Sequence, residues 1–208
     1  EQKPDAVLCA TLMLKPNYAD FDLAYAAKEL NIPLIGFVPT WDSLTTKTKL
    51  QVIPDLMFCW NEFHKKDLIN YHEMKAENII KVGPYTHEEF LKPHRATRRD
   101  KFCEKHGLDP NKSIITFAGS SPATVGDETE AIKQILENNP QYQLIVRPHP
   151  QRMGEYHKLK DVWVIPNTAE NPHQEPSHFQ LAYDTYAFSE RIFGINSSAM
   201  LEAIILGR

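Results

Sequence analysis

Gln143-Leu144-Ile145-Val146-Arg147-Pro148-His149-Pro150 decides how this chain is read. An apolar run without polar alternation is the pattern of a strand buried on both faces, as in a parallel sheet. It ends in a cation and an imidazole held between prolines, which fix the backbone and aim the ring. In open α/β sheets the carboxyl ends of strands are where ligands bind. Arg147 and His149 are therefore the first candidate binding residues. The plain alternatives are an arginine paired with a surface carboxylate and one ordinary histidine among nine.

The same rhythm extends outward. Residues 113–118 read as a strand closed by the small-residue turn Gly119-Ser120-Ser121-Pro122, and a helix is expected over about 128–137. Strands at 144–146, 162–165 and 192–195 follow, with a Pro-, Asn- and His-rich loop over 167–177. The strand Ile192-Phe193-Gly194-Ile195 runs into Asn196-Ser197-Ser198 and a helix over 199–206. Its carboxyl end is expected to lie next to that of the strand ending in His149. The first half alternates likewise: strands at 6–9, 33–38, 56–60 and 79–82, with helices at 21–30, capped by Asp20, and about 62–71. Strands separated by helices imply βαβ units and parallel sheets. A polar, basic stretch divides the two series. In it Thr86 with Glu89, and Thr97 with Asp100, have capping-box spacing, and Gly107 is placed to end a helix. The expected organisation is a first domain over 1–84, an interdomain segment over 85–112 and a second domain over 113–208.

Composition narrows the function classes. A chain of 208 residues with net charge −4 argues against nucleic-acid binding. No apolar run reaches membrane-span length and no secretory leader pattern opens the chain. Cys9, Cys59 and Cys103, odd in number and widely spaced, fit a reducing, cytoplasmic setting. The chain begins at Glu1 without Met and stops just after a helix, where a parallel sheet would continue, so it reads as a piece of a longer protein.

The candidate binding residues gather at strand ends. Gly119, Ser120 and Ser121 would let backbone and hydroxyls approach a phosphate, although a tight βα turn explains them equally and no Walker pattern is present. Asn196, Ser197 and Ser198 would cap a helix whatever the function, and a free helix N-terminus can hold an anion. Glu202, one turn beyond Ser198, would reach ribose hydroxyls; a solvent-facing glutamate is its alternative. In the first half, Asp42 of Trp41-Asp42-Ser43 is a candidate general base with Trp41 as an apolar face for a sugar ring, against an Asx-turn carboxylate beside a packed tryptophan. Glu62 with His64 forms a similar, weaker pair. Lys92, His94, Arg95, Arg98, Arg99 and Lys101 form the only basic cluster. It could give peripheral contact with anionic lipid, a solvated helix being the simpler account. No metal motif is visible, since His173 and His178 sit in the expected loop without Cys or carboxylate support.

These residues resemble a group of bacterial glycosyltransferases of the GT-B architecture, two Rossmann-like domains facing a cleft. Trp41-Asp42-Ser43-Leu44-Thr45 and Trp60-Asn61-Glu62 look like that group's Trp-Asp-Asn-Leu-Thr and Trp-Asn-Glu segments, and Val82-Gly83-Pro84-Tyr85 like the segment before its interdomain region. Phe102-Cys103, Gly107-Leu108-Asp109-Pro110 and Gly119-Ser120-Ser121-Pro122 fit the start of its donor domain. Arg147-Pro148-His149-Pro150 is similar to the His-Pro motif of sialyl-, Kdo- and glycerophosphate-type transferases, and Asn196-Ser197-Ser198-Ala199-Met200 with Glu202 to their phosphate-binding segment.

The resemblance implies a transferase that moves a sugar from a CMP-, CDP- or UDP-linked donor to a hydroxyl of a glycan or lipid-linked acceptor, in surface polysaccharide or glycolipid synthesis; no visible motif calls for a cofactor or metal. His149 and the Ser197/Ser198 segment would stabilise the departing phosphate. Arg147, Gly119, Ser120, Ser121, Asn196 and Glu202 would hold the nucleotide sugar, and Trp41, Asp42 and Glu62 the acceptor side. The competing readings are a non-hydrolysing sugar-nucleotide 2-epimerase and a non-catalytic nucleotide-sugar-binding module. Donor base, acceptor, stereochemical outcome and oligomeric state stay open at this level.

Overall fold

The computed structural model describes residues 4–10, 12–13, 19–92, 96–152, 154–166 and 177–208. In chain order the elements are β1 (Val7–Cys9), α1 (Ala19–Glu29), β2 (Leu34–Phe37), α2 (Ser43–Thr46), β3 (Leu56–Cys59), α3 (Glu62–His72), β4 (Ile79–Lys81), α4 (Glu88–Leu91), α5 (Arg99–His106), β5 (Ile114–Ala118), α6 (Thr129–Asn138), β6 (Gln143–Arg147), β7 (Val162–Val164), α7 (Ser177–Phe188), β8 (Ser189–Gly194) and α8 (Ala199–Ile205). The chain divides into two compact units, Glu1–Glu89 and Phe90–Arg208. Each holds its own four-stranded parallel sheet. The expected α/β class with parallel sheets is what the structure has.

In the first unit the strand order is β1-β2-β3-β4. Cys9, Gly36, Met57 and Ile79 fall in register on one face and are buried together with Leu34 and Cys59. Phe21, Ala24 and Ala27 of α1 and Leu68 of α3 are buried as well, which places the unit's core on this side of the sheet. The other face carries Leu8, Ile35, Phe37, Leu56, Phe58 and Ile80, all half-buried or exposed. Asp20 does not cap α1. It lies inside the first turn, and its carboxylate accepts from the Ala10 N–H at 3.0 Å. Leu23 and Leu30, apolar like the buried α1 residues, are exposed.

In the second unit the order is β7-β6-β5-β8. β5 and β6 are buried along their whole length, as continuous apolar runs require when helices cover both faces. Ile114 and Ile145 pack with Phe102, Cys103 and Leu108; Ile115, Phe117, Leu144 and Val146 pack on the opposite side with Ile132 and Tyr156. The stretch expected as an interdomain segment is therefore divided. It belongs to the first unit through Glu89, while Phe102, Cys103 and Leu108 beyond it are part of the second core. Gly107 ends α5 in the left-handed conformation, φ 68°, with its N–H on the Cys103 and Glu104 carbonyls.

Four expectations need correction. Thr86 is inside a 3-10 turn, Tyr85–His87, and caps nothing. Thr97 precedes the α5 cap position, Arg98, and is bound instead by Asp184, which accepts from its N–H and its hydroxyl, both at 2.8 Å. Residues 177–188, passed over by the sequence reading, form α7, whose Phe179, Ala182, Tyr183 and Tyr186 lie at i, i+3, i+4 and i+7 and pack with Phe90. The loop expected over 167–177 otherwise lies outside the described residues, as does His173. His178 is on α7, not in a loop.

Candidate functional site

The three strands whose carboxyl ends carry the expected ligand residues lie side by side, but not as expected. β5 separates β6 from β8, so the His149 and Asn196 ends are not neighbours; the Gly119-Ser120-Ser121 turn stands between them. That turn joins all three. Gly119 N–H donates to the Arg147 carbonyl at 2.9 Å, and a Cβ on Gly119 would come within 3.0 Å of His149 N and 3.1 Å of the Tyr156 hydroxyl. Asn196 N–H donates to Ser120 Oγ at 3.1 Å. Ser121 Oγ is bonded locally, accepting from Ala123 N–H at 3.3 Å and donating to Gln151 at 3.4 Å.

His149 is half-buried beyond the end of β6, and its Nδ1 accepts from the Gln151 N–H at 3.2 Å. The neutral ring must then carry its proton on Nε2, which becomes a hydrogen-bond donor. Burial, with the Arg152 charge nearby, holds the imidazole below its ordinary value, so the ring is neutral at pH 7.

Arg147 turns inward, and the surface carboxylate suggested for it is not what it meets. It is 7% exposed, lies over the Tyr186 ring at 5.6 Å and donates from Nη2 to His178 Nε2 at 3.0 Å. Its Nη1 is buried without a hydrogen-bond partner. Glu202 on α8 feels the Arg147 charge, yet burial outweighs it and pushes the carboxyl up to about 7. This glutamate is not a freely solvated surface residue. Ser198 occupies the α8 cap position but makes no cap bond; Ser197 Oγ accepts from Ala199 N–H at 3.3 Å.

Ser120 cannot meet a ligand directly, because it is fully buried. Beneath it lies a polar network that the sequence reading missed. Glu128, also fully buried, accepts from Ser120 N–H at 2.9 Å and from the Tyr156 hydroxyl. Arg152, 4% exposed, donates to Ser120 O at 2.9 Å, to the Val125 and Gly126 carbonyls and to Glu155 at 2.8 Å, and lies 3.8 Å from Glu128. Apart from Ser120–Glu128, eight residues apart, and Arg152–Glu155, the hydrogen-bonded partners are separated by 26 to 32 residues, and no short-range pattern announces them.

In the first unit, Trp41 is 45% exposed after β2. Asp42 sits at the α2 cap position, with its carboxylate accepting from Thr40 Oγ1 at 2.8 Å and Thr46 Oγ1 at 2.9 Å. Two buried α3 histidines hold this turn from behind. His64 Nε2 donates to Trp41 O at 2.9 Å while its Nδ1 accepts from Trp60 N–H; His72 Nε2 donates to Leu44 O at 2.8 Å while its Nδ1 accepts from Leu50 N–H. The Trp60 indole and the Tyr85 hydroxyl both donate to Val38 O. Glu62 pairs with Lys81 at 2.6 Å in the open, and the cation draws its carboxyl down. Asp42→Asn should therefore lower stability by about 0.5–1.5 kcal/mol, the net worth of a hydrogen bond, read as the urea midpoint. An unchanged midpoint would detach the carboxylate from the turn.

Of the basic cluster, His94 and Arg95 lie outside the described residues, and Arg98, Arg99 and Lys101 are engaged within the second unit. Arg98 pairs with Asp100 and Lys101 with Glu104, while Arg99 donates to the Phe188, Pro110 and Lys112 carbonyls. Among the described residues no group of three or more His, Cys, Asp or Glu could hold a metal ion, and no helix is long and apolar enough to cross a membrane. All three cysteines are buried and free.

No protein-family model and no curated protein matches the sequence. Solved structures match in fold. The structure of Staphylococcus aureus MnaA with UDP aligns at TM-score 0.65 and 13% identity, covering 99% of this chain and 56% of that one. UDP-GlcNAc 2-epimerase from Neisseria meningitidis, bound to UDP-GlcNAc, aligns at 0.64 and 15%, covering 95% and 56%. The Rickettsia bellii UDP-N-acetylglucosamine 2-epimerase aligns at 0.64 and 16%, covering 98% and 54%. The likeness extends over both units and shows the fold, the GT-B type with two Rossmann-like units. The chain spans a little over half the length of these structures.

Proposed function

We propose that this chain belongs to an enzyme acting on nucleotide-activated sugars, and that its second unit takes the nucleoside phosphate end of the donor. The observation that carries this reading is the convergence at one carboxyl sheet edge of a neutral, oriented His149 and the Ser197/Ser198 end of β8, in a GT-B-type fold. Similar structures solved with UDP and with UDP-GlcNAc support it. The reaction is sugar transfer to a hydroxyl of a glycan or lipid-linked acceptor. Asp42, the candidate base, takes the proton of the acceptor hydroxyl as its oxygen bonds to the anomeric carbon and the bond from that carbon to the phosphate oxygen breaks. The electron pair stays on the phosphate, where His149 Nε2–H donates a hydrogen bond to the growing charge. Arg147 acts from beneath as a buried positive charge, and Glu202 faces the ribose. On the acceptor side Trp41 offers an apolar face, and Asp42 shapes the turn that carries it.

A second reading, 2-epimerisation of the sugar nucleotide itself, is favoured by the epimerases among the similar structures. Calorimetry with UDP, CDP and CMP tests the shared part. His149→Ala and Ser198→Ala should each weaken binding by about 1–3 kcal/mol, as expected for a hydrogen bond to a charged group. Unchanged affinity in both variants would remove these residues from the site. Product analysis then separates the reactions: nucleotide release that depends on an acceptor marks the transferase, and appearance of the C2 epimer without an acceptor marks the epimerase. Binding without either product marks a nucleotide-sugar-binding module.

A further inference from the structure

Ser120, directly after the Gly119 turn at the end of β5, is bonded to residues beyond the ends of both β6 and β8. Its N–H is taken by Glu128 at 2.9 Å, its carbonyl by Arg152 at 2.9 Å, and its hydroxyl by the Asn196 N–H at 3.1 Å. Ser120 and Glu128 are 0% exposed and Arg152 is 4% exposed. A buried ion pair is weak evidence for stability, because desolvation offsets its Coulomb energy. What this one supplies is direction. Glu128 and Arg152 grip the Ser120 peptide from two sides, and Gly119 beside it fits closely against the backbone of Arg147 and His149. The hydroxyl is thereby held at a fixed place relative to the His149 end of β6. Asn196, leading into Ser197 and Ser198, is bound to that hydroxyl.

We infer that Ser120 is a positioning residue, whose buried hydroxyl sets where the Ser197/Ser198 segment stands relative to His149, with Glu128 and Arg152 as the support that holds Ser120 in place. The inference rests on the nucleotide-binding reading above and deepens it. Ser120 acts on the donor phosphate without touching it, and the phosphate is recognised by two separate strand ends kept in register by one serine.

The test is a double-mutant cycle with two readouts. Ser120→Ala removes the hydroxyl and nothing else in size, and Ser120→Cys keeps the volume with a much weaker acceptor. Amide hydrogen exchange comes first: Ser120→Ala should speed exchange over residues 194–199, leaving β5 and β6 protected. Unchanged exchange there overturns the clamp. Affinity for whichever of UDP, CDP or CMP binds the wild-type chain comes second. Ser120→Ala should weaken it about 3- to 30-fold and Ser120→Cys less. Ser198→Ala should then cost at least about threefold less in the Ser120→Ala background than in wild type, the signature of coupled residues. Equal costs in both backgrounds, or unchanged affinity in Ser120→Ala, overturn the positioning role while leaving the nucleotide reading intact. A wild-type chain that binds none of the three nucleotides overturns the nucleotide reading, and with it the role in ligand placement, whatever exchange reports about the clamp.

Discussion

Glu128→Ala should cost about 3–5 kcal/mol of stability, the range for removing one partner of a buried ionic network. The substitution leaves the Ser120 N–H and the Tyr156 hydroxyl without their acceptor in a fully buried place, and each such orphaned donor carries a desolvation penalty of about 1–3 kcal/mol. Arg152 keeps Glu155 at 2.8 Å, so its charge is not stranded outright. Glu128→Gln retains a carbonyl for the Ser120 N–H and should lose roughly half as much. Urea unfolding followed by circular dichroism reads both values. An alanine variant within about 0.5 kcal/mol of wild type, the scale of an inert surface change, would mean that the network is not closed as described.

The second large effect is a pH dependence at Glu202. Burial raises its carboxyl from 4.5 to about 7 in the folded chain. Between those values the folded state binds the proton more tightly than the unfolded state, so stability falls as pH rises through this window and levels off above it. The shift corresponds to about 3 kcal/mol. Glu202→Gln carries no titrating proton and escapes the loss. The variant should match wild type near pH 4 and exceed its stability by about 3 kcal/mol above pH 7.5. Unfolding curves collected from pH 4 to 8.5 decide the matter, because every other titrating group cancels in the difference. A constant offset across the range would place Glu202 in solvent.

Much of the fold was legible in the residues. Continuous apolar runs marked β5 and β6, and the strand–helix alternation marked two parallel series. Gly107 closed its helix where a left-handed residue was needed. α7 was legible too, through Phe179, Ala182, Tyr183 and Tyr186, but the polar residues between them and the Pro-rich approach mask the helical spacing. Asp20, Thr86 and Thr97 were misread for a common reason. Their side chains fit a local cap, yet Asp20 and Thr97 found partners at Ala10 and Asp184, and Thr86 fell inside a tighter turn.

By itself the sequence determined the class of fold and which residues stand at the carboxyl ends of strands, because both follow from periodicity and turn chemistry within windows of about ten residues. Only the tertiary structure decided what those residues do there. It placed β5 between β6 and β8, buried Ser120 instead of offering it to a ligand, turned Arg147 toward Tyr186 and drew Glu202 out of open solvent. The Ser120–Asn196 bond spans 76 residues and the Thr97–Asp184 bond 87. Partners that far apart are chosen by sheet order and by the need of every buried donor and acceptor for a mate, conditions that exist only once the chain has closed around its core.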